Sequence, residues 1–293
     1  MSLRSMLFSL LPTQRDAGPG IIWITSFPKS GNTWVRQFLY AYIKGAPSQR
    51  LDEANDVLPP VRRLIKSLGR EKLGYVSEKK MREQVAGDFV WPEGWKPRIL
   101  TKTHDVYGKG LLMRRRTHSA VLIYRNPRDI IISSVNHFAK KGKPLEDPVS
   151  FARQFIETGG TPAWDRMSNW EGHWKSWLQQ KRFPVHVVNY EELTRDPQSG
   201  FSGIIEFLGF PMEESRLQIA LEGTTLEMLR QLEIEHMERT GDAGNGAYFF
   251  NEGKSGQSLD DKFGVEGLDR RFDEVFLPRV RKLEEFLEKR KRS

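Results

Sequence analysis

Short apolar runs and longer amphipathic stretches alternate along the chain. Residues 21–25 form a β-branched apolar run, Phe27 and Pro28 give a turn signal, and apolar side chains then recur at helical spacing from Trp34 to Tyr42. This order predicts a strand, a loop and a helix. Similar apolar runs predict three further strands, at residues 98–104, 119–124 and 185–193.

Helical periodicity dominates the second half of the chain. Trp170, Trp174 and Trp177 are spaced as one helical stripe, which we interpret as core packing. Residues 224–227 have the form of an N-terminal cap that opens a helix. Further helices are predicted at residues 149–157, at residues 195–210 with a stop at Gly209, and at residues 268–290.

Residues 140–164 are rich in Gly and Pro around the short helix predicted at 149–157. Long irregular segments at the mouth of a site often act as lids. We therefore expect this segment to border a binding site.

The loop before the first helix has the composition of an anion-binding loop. Residues 28–33 read Pro-Lys-Ser-Gly-Asn-Thr. Such a loop directs several backbone N–H groups and the positive end of a helix dipole at one point, and Lys29 adds a full charge. The nucleoside-triphosphatase loop does not match, because it places Gly immediately before Lys, whereas Lys29 precedes Gly31. The segment 253–255 (Gly-Lys-Ser) fails too, since Tyr248 stands where that pattern requires Gly.

Polar side chains stand at the ends of two predicted strands. Lys102 and His104 lie one residue apart on one pleat face, and ligands bind beyond the carboxyl ends of strands in open parallel sheets, so both can reach a shared site. The third strand ends in Arg125, and Ser133 follows inside a helix. A magnesium-dependent nucleotide enzyme would want an acidic residue at this strand end. A guanidinium instead forms a bidentate pair with phosphate, which favours a second anion site.

Residues 28–34, PKSGNTW, resemble the 5′-phosphosulfate loop of the sulfotransferase family, enzymes that move a sulfuryl group from 3′-phosphoadenosine 5′-phosphosulfate to an acceptor. Lys102-x-His104 stands where the family carries its catalytic base. Arg125 and Ser133 match the family pattern RNxxDxxxS, in which both residues hold the 3′-phosphate. The resemblance covers roughly residues 21–286. It implies an α/β fold with a P-loop-type parallel β-sheet of about four to five strands flanked by helices on both faces.

The resemblance also implies which residues act. His104 would take the proton from the acceptor hydroxyl, and Lys29 with Lys102 would neutralise charge on the sulfuryl and leaving oxygens during in-line transfer. The product would be adenosine 3′,5′-bisphosphate, and no metal would be needed. Tyr190 and Thr225 are expected near the adenine. The implied cofactor-binding residues are Lys29, Ser30, Gly31, Asn32, Thr33, Trp34, Arg125, Ser133, Tyr190, Thr225, Gly253 and Lys254.

The last family motif is degenerate in this chain. Relatives read roughly Arg-Lys-Gly-x-x-Gly-Asp-Trp, whereas residues 251–257 read Asn-Glu-Gly-Lys-Ser-Gly-Gln. This form looks closer to bacterial antibiotic-modifying members than to animal cytosolic ones. A carboxylate at Glu252 would repel the 3′-phosphate. We expect Lys254 to close over that phosphate when the cofactor binds, with Gly253 and Gly256 as hinges.

Two other functions remain open on the sequence alone. Glu191 and Glu192 end the fourth predicted strand and give the best support for a P-loop nucleotide kinase that uses Mg-ATP. A non-catalytic nucleotide- or polyanion-binding protein is consistent with the net charge of +8. Magnesium dependence would separate the two enzymes, and His104→Ala would separate an enzyme from a binder.

Charge and composition narrow the choice of partners. The chain has 46 Lys and Arg against 38 Asp and Glu, which favours anionic ligands. The basic runs at 114–116 and 289–292 lack interleaved aromatic side chains, so no nucleic-acid partner is expected. The absence of cysteine excludes disulfides, zinc-thiolate sites and thiol nucleophiles. The apolar run at residues 6–11 is too short for a signal peptide or a membrane span.

We therefore expect a single cytoplasmic sulfotransferase domain over residues 1–293, in which residues 1–20 are a flexible extension. The expected partner is an acceptor with a hydroxyl group, either a small molecule or a glycan or glycopeptide, and residues 140–164 are assigned to its binding. The sequence leaves the identity of the acceptor and the oligomeric state open.

Overall fold

The core of the protein is one parallel sheet. The computed structural model describes residues 20–60, 99–111, 114–140, 145–241, 250 and 255–292. In these residues every pair of neighbouring strands is parallel, as predicted. The strands are β1 (Ile21–Ser26), β2 (Ile99–Thr103), β3 (Thr117–Tyr124) and β4 (Val185–Asn189), in the spatial order β2-β1-β3-β4.

Helices occupy most of the remaining described chain. They are α1 (Asn32–Lys44), α2 (Ala54–Val57), α3 (Pro127–Lys140), α4 (Pro148–Thr158), α5 (Trp170–Leu178), α6 (Tyr190–Arg195), α7 (Pro197–Leu208), α8 (Glu214–Glu222), α9 (Leu226–Thr240), α10 (Leu259–Phe263), α11 (Leu268–Val275) and α12 (Leu277–Arg292), with 3₁₀ turns at Arg114–Arg116 and Pro162–Met167. Six of them begin where a side chain accepts a hydrogen bond from the amide three residues on, that of Asp147, Asn169, Asn189, Asp196, Thr225 or Ser258. None of the described helices combines the length and apolar character needed to span a bilayer.

The pleat of β1 sends successive side chains to opposite layers. Ile21 and Trp23 pack in one apolar core with α3, α4, α5, α11 and α12. Ile22 and Ile24 pack in a second core with α1, α7 and α8. All of β1 is buried, as expected for a parallel strand covered on both faces. The predicted α/β fold with helices on both faces is confirmed.

After β2 the chain crosses from one edge of β1 to the other. β2 pairs with one edge of β1 and β3 with the other. In open α/β sheets such a reversal opens a crevice beyond the carboxyl ends of the strands, and ligands bind there. We call the space beyond Ser26, Thr103 and Tyr124 the switch crevice. The loop predicted to bind phosphate follows directly after Ser26.

The fourth strand is shorter than the predicted 185–193. It ends at Asn189, whose side chain accepts a hydrogen bond from the amide of Glu192 and so caps α6. Glu191 and Glu192 lie in the first helical turn, where the helix dipole favours acidic side chains. The prediction of a strand through Leu193 is therefore wrong, and the two carboxylates do not end a strand.

The helix predicted at 268–290 is two helices that meet at Phe276. Pro278 has no N–H, and its ring clashes with the carbonyl four residues earlier in a continuous helix, which explains the break. The apolar stripe is nevertheless inward, since Phe272 and Leu283 are buried. The helix predicted at 195–210 begins later, at Pro197, because Asp196 caps it.

The remaining element predictions have mixed outcomes. The tryptophan stripe of α5 is buried, which confirms core packing. The short helix predicted at 149–157 is α4, and its Phe155 is fully buried. The role of residues 140–164 in acceptor binding stays a prediction. The extension up to residue 19 and the loop 251–254 lie outside the described residues.

Candidate active site

The loop after β1 contains two residues with positive φ. Lys29 has φ 67° and Gly31 has φ 93°, a region that glycine adopts without steric cost. A Cβ on Gly31 would lie 2.4 Å from Cδ2 of Tyr190, so glycine permits both the turn and the approach of this ring. α1 then begins at Asn32, and no described side chain caps it. Its first amides therefore remain available at the loop.

Two buried polar atoms in this loop have no hydrogen-bond partner within the part of the chain that the structure describes. They are Oγ of Ser30 and Oδ1 of Asn32. The other amide atom of Asn32, Nδ2, donates to the carbonyl of Ile24 at 3.1 Å and ties the helix start to β1. A buried hydroxyl without a partner costs roughly 1–3 kcal/mol. A sulfate or phosphate oxygen would accept a hydrogen bond from the Ser30 hydroxyl. The loop therefore fits the 5′-phosphosulfate of the expected co-substrate.

Arg125 joins the end of β3 to this loop and to α6. The residue is 8% exposed. Its Nη1 donates to the carbonyl of Lys29 at 3.2 Å, and its guanidinium lies 4.4 Å from the centre of the Tyr190 ring, within cation–π distance. Arg125 thus links the loop, the strand end and the first turn of α6.

Two largely buried carboxylates lie beside Arg125. Burial raises the pKa of Asp129 and of Glu191, and the charge of Arg125 opposes both shifts. Glu191 accepts a hydrogen bond from the amide of Asn126 at 2.9 Å, and Asp129 accepts one from the amide of Gly256 at 3.1 Å. Among the described residues, no group of three or more His, Asp or Glu side chains is placed to hold a metal ion. Metal independence stays a prediction.

Ser133 lies one helical turn beyond Asp129 on α3, so the two residues share a helix face. The residue is half-buried. Since Gly256 bonds to Asp129, the C-terminal end of the degenerate loop reaches this face. Gly253 and Lys254 lie outside the described residues, and their contact with the 3′-phosphate stays a prediction.

Aromatic side chains pack together at the start of α1. Nε1 of Trp34 donates to the carbonyl of Thr224 at 2.9 Å, and its ring meets that of Tyr190 edge-on with centroids 5.9 Å apart. Thr225 caps α9 by accepting from the amide of Met228, as predicted. The structure thus brings Trp34, Tyr190 and the Thr225 segment together, and their contact with adenine stays a prediction.

Lys102 and His104 meet at the end of β2. Nδ1 of His104 lies 2.8 Å from the carbonyl oxygen of Ser26, which can only accept a hydrogen bond, so Nδ1 carries the proton. In the neutral ring Nε2 then holds the lone pair, and Nζ of Lys102 is 3.5 Å from it. The ring is fixed in the tautomer that a general base at Nε2 requires.

His104 is held in its neutral form. Burial lowers its pKa to about 3, and the charge of Lys102 acts in the same direction. The hydrogen bond to Ser26 opposes the shift without cancelling it. An anionic ligand in the crevice would favour the protonated ring, so donor binding would raise this pKa and strengthen the base.

A second buried histidine, which the sequence pattern did not single out, lies near His104. His173 of α5 is 1% exposed, and its proximity contributes to the low pKa of His104. Burial lowers the pKa of His173 to about 3. The available signal was a polar residue within the apolar stripe of Trp170, Trp174 and Trp177, because such a residue needs a buried partner.

Comparison with known proteins agrees on one family. A family model described as the sulfotransferase domain matches residues 19–287. Human sulfotransferase 2B1 is 27% identical over 233 residues, which are 76% of this chain and 55% of that protein. Flavonol 4′-sulfotransferase of Flaveria chlorifolia is 26% identical over 230 residues, 74% of this chain and 66% of that protein. The matches therefore span between half and two thirds of the length of these relatives.

Solved structures show the same fold. Mouse sulfotransferase SULT7A1 complexed with PAP superposes with a TM-score of 0.62 at 20% identity, covering 99% of this chain and 95% of that one. Retinol dehydratase in a complex with retinol and PAP gives a TM-score of 0.56 at 17% identity, covering 90% and 82%.

Proposed function

The chain belongs to the sulfotransferase domain family, and we propose that it moves the sulfuryl group of 3′-phosphoadenosine 5′-phosphosulfate onto an acceptor hydroxyl, releasing adenosine 3′,5′-bisphosphate. One observation carries the proposal: three segments with complementary chemistry converge at the switch crevice. The loop offers the buried hydroxyl of Ser30, the end of β3 offers Arg125, and the end of β2 offers the neutral ring of His104.

The donor would be held at both phosphate ends. Lys29, Ser30 and the first amides of α1 suit the 5′-phosphosulfate, because they combine a cation, an unsatisfied hydroxyl and backbone N–H groups. Arg125 and Ser133 suit the 3′-phosphate. The remaining proposed donor contacts come from Gly31, Asn32, Thr33, Trp34, Tyr190, Thr225, Gly253 and Lys254.

His104 acts as the general base in this proposal. The bond from Nδ1 to the carbonyl of Ser26 leaves Nε2 to take the proton of the acceptor hydroxyl. The donor supplies the sulfur atom, to which the acceptor oxygen bonds while the bond from sulfur to the phosphate oxygen breaks.

Proton uptake changes the relation between His104 and Lys102. In the resting site Nζ of Lys102 lies 3.5 Å from Nε2 and can donate to it. Once Nε2 is protonated, two positive charges face each other, which favours movement of Lys102 toward the oxygen that gains negative charge. Lys29 neutralises the same oxygen from the loop. Deprotonation of the acceptor and stabilisation of the leaving group are thereby coupled.

We further propose a small molecule with a hydroxyl group as the acceptor. Relatives named for flavonols support this class. A glycan or glycopeptide is the alternative that an acceptor panel must test. The cytoplasmic location stays a prediction.

Transfer of a labelled sulfuryl group tests the proposed function. The purified protein is incubated with the donor, excess chelator and a panel of flavonols, simple phenols, sugars, glycopeptides and lipid alcohols, and products are read by mass shift. We expect transfer that chelation leaves intact and His104→Ala nearly abolishes. Turnover that requires Mg²⁺ and ATP would favour a nucleotide kinase. Binding of adenosine 3′,5′-bisphosphate without transfer to any acceptor class would favour a non-catalytic binder.

A further inference from the structure

A buried arginine lies one helical turn into α1, the helix that follows the proposed phosphosulfate loop. Arg36 is 6% exposed. Its Nε donates to the carbonyl of Leu58 at 3.2 Å, and its Nη2 donates to Oδ1 of Asn55 at 2.6 Å. Burial lowers the pKa of Arg36 to about 10, so the side chain remains charged at neutral pH. α1 therefore holds the segment 55–58 by two charge-assisted hydrogen bonds.

The chain directly after this segment lies against β2. The carbonyl of Pro59 accepts from the amide of Lys102 at 3.1 Å and from Oγ1 of Thr101 at 2.7 Å. Pro60 forms an isolated parallel bridge with Lys102. The main chain of Lys102 is thus bonded to the residue that follows Leu58.

Two prolines make these contacts depend on donors from outside the segment. Neither Pro59 nor Pro60 has a backbone N–H, so both can attach to β2 only through their carbonyl groups. β2 donates to the carbonyl of Pro59, and Arg36 donates to the adjacent carbonyl, that of the buried Leu58. A buried carbonyl that loses its donor is left unsatisfied, which favours displacement of the segment.

We propose that Arg36 is a positioning residue, which fixes Lys102 beside His104 by holding the segment 55–60 against β2. The inference rests on the proposed sulfuryl transfer, in which His104 is the base and Lys102 moves toward the oxygen that gains negative charge. In this role Arg36 acts through the segment and touches no reacting atom.

The place of Lys102 matters because its charge works at short range. Nζ of Lys102 lies 3.5 Å from Nε2 of His104, so a displacement of its main chain changes the distance between the two groups. A displacement of about 1 Å is enough to cost on the order of 100-fold in rate. Burial, the charge of Lys102 and, to a smaller extent, the charge of Arg36 lower the pKa of His104, which shows that Arg36 lies close to the base.

The next residue of α1 offers a matched control. Gln37 is fully buried, and its Nε2 donates to the carbonyl of Leu51 at 2.9 Å. Its Oε1 accepts from Oγ of Ser48 at 2.7 Å. Gln37 therefore also ties main chain to α1, but the chain that it holds is separated from Pro59 by α2.

Three single variants and one double variant test the link. Arg36→Met keeps an unbranched apolar side chain and removes the charge and the donors. Thr101→Val removes the hydroxyl that donates to Pro59, and Gln37→Met removes the control bond. The double variant combines Arg36→Met with Thr101→Val. For each protein we would measure kcat at saturating donor, the affinity for adenosine 3′,5′-bisphosphate by calorimetry, and the free energy of unfolding.

The expected result is a loss of turnover without a loss of donor affinity. Arg36→Met lowers kcat by about 10–100-fold and leaves the affinity for the bisphosphate near wild type. Thr101→Val lowers kcat by a smaller factor, and the double variant loses less than the product of the two single losses, because both bonds hold one segment. Gln37→Met lowers the free energy of unfolding and leaves kcat near wild type.

Hydrogen exchange provides a readout that is independent of turnover. The amide of Lys102 should exchange about tenfold faster in Arg36→Met, relative to the amide of Leu122 in β3, and should keep the wild-type ratio in Gln37→Met. If the wild-type protein transfers no sulfuryl group, the proposed function fails, and this ratio still decides whether Arg36 positions Lys102.

Three outcomes would overturn the inference. They are a wild-type kcat or exchange ratio in Arg36→Met, equal losses of kcat in Arg36→Met and Gln37→Met, and losses that multiply in the double variant. Should Arg36→Met not fold, Arg36→Gln replaces it, because glutamine keeps one amide donor. In that variant a smaller loss of kcat with faster exchange at Lys102 is expected, and wild-type values of both quantities would contradict the proposed role.

Discussion

Two parts of the site are held in different ways. We call the loop before α1, Arg125 and Tyr190 the donor half, because they would hold the sulfuryl donor, and we call the surroundings of His104 the base half. In the donor half, contacts between side chains dominate: Arg125 lies over Tyr190, and Tyr190 packs against Trp34 and against the main chain of Gly31. The base half is held through main-chain groups. The ring of His104 is bound by the carbonyl of a neighbouring strand, and the main chain of the next residue, Asp105, is bound by Trp177 of α5.

The contrast follows from what each half must do. A ligand with several negative charges needs a cationic group held in place, and the packing of Arg125 on Tyr190 holds one. A general base needs one nitrogen in one direction, with its lone pair intact. The neutral carbonyl of Ser26 orients the ring, and burial with the charge of Lys102 keeps its pKa low. Orientation and ionisation are thus controlled by separate contacts.

The largest expected effect separates the two halves directly. His104→Ala should lower kcat by about two to four orders of magnitude, because a general base contributes that much, and should leave the affinity for adenosine 3′,5′-bisphosphate nearly unchanged. Lys29→Ala should damage both quantities, since Lys29 belongs to the donor half and also meets the charge of the transition state. Steady-state kinetics and calorimetry give the two numbers. A kcat in the His104 variant equal to that of the wild type would remove the base assignment.

Substitution of Arg125 tests the donor half, where the expected loss is in ligand affinity. A charge-assisted hydrogen bond contributes about 1.5–3 kcal/mol, so Arg125→Ala should weaken the bisphosphate by roughly 10–150-fold. The analogue without the 3′-phosphate should lose much less. Arg128→Ala is the matched control, because Arg128 is paired with Asp269 and Asp273. Equal losses for both ligands in the Arg125 variant would show that Arg125 does not recognise the 3′-phosphate.

The degenerate loop allows a third comparison, within the donor half alone. If Lys254 replaces the missing Arg-Lys pair, Lys254→Ala should weaken the bisphosphate by about tenfold or more and leave the analogue without the 3′-phosphate nearly unchanged. Calorimetry with the two ligands measures this directly. The prediction fails if both ligands lose affinity equally.

Two glycine substitutions compare the rigidity of the loop before α1 with that of the segment after His104. Gly31→Ala places a Cβ against the Tyr190 ring at positive φ and should cost about 1–3 kcal/mol of unfolding free energy, together with donor affinity. Gly108→Ala, in the segment that follows His104, meets no atom within 4 Å and should be nearly neutral. Denaturant unfolding of the two variants tests the pair. A Gly31 variant as stable as the wild type would mean that the loop relaxes freely.

The smallest expected effects concern pH. The base works only when unprotonated, and its lowered pKa keeps it so, hence the acid limb of kcat/KM should lie well below pH 6.5. Stability behaves differently. Burial lowers the pKa of His173 to about 3 and that of His186 to about 4, so from about pH 6.5 downward the unfolded chain binds protons that the folded chain does not. Each residue should therefore cost about 2 kcal/mol at pH 5 relative to neutrality.

A variant remote from the crevice provides the control for the pH experiment. His186 lies in β4 and stacks on Phe207. In His186→Phe the loss of stability between pH 7 and pH 5 should shrink by about 2 kcal/mol, and the acid limb of kcat/KM should not move. Denaturant unfolding at the two pH values measures the first quantity. An unchanged loss would contradict the assignment of His186 as a buried neutral ring.

The parts that could be predicted from sequence are those with local signals. Consecutive residue types predict the loop at 28–33, and an apolar run predicts β1. The errors at the ends of elements each trace to one residue, because Asn189 caps a helix before the predicted end of the fourth strand, and Pro278 breaks a helix inside a regular stripe. Spacing on a stripe predicted that Trp170 is buried. It could not predict where the indole N–H points, since that depends on packing between separate layers.

The position of β1 also matters while the chain is being made. β1 is the first described strand to leave the ribosome, but its partners follow late, since β2 begins at Ile99 and β3 ends at Tyr124. At a synthesis rate of about 5–20 residues per second, this mostly apolar strand keeps at least one unpaired edge for roughly 5–20 s. Unpaired apolar edges recruit strands from other chains. Nascent chains of this protein should therefore need chaperones, and slower synthesis at low temperature should not substitute for them, because it prolongs the exposure.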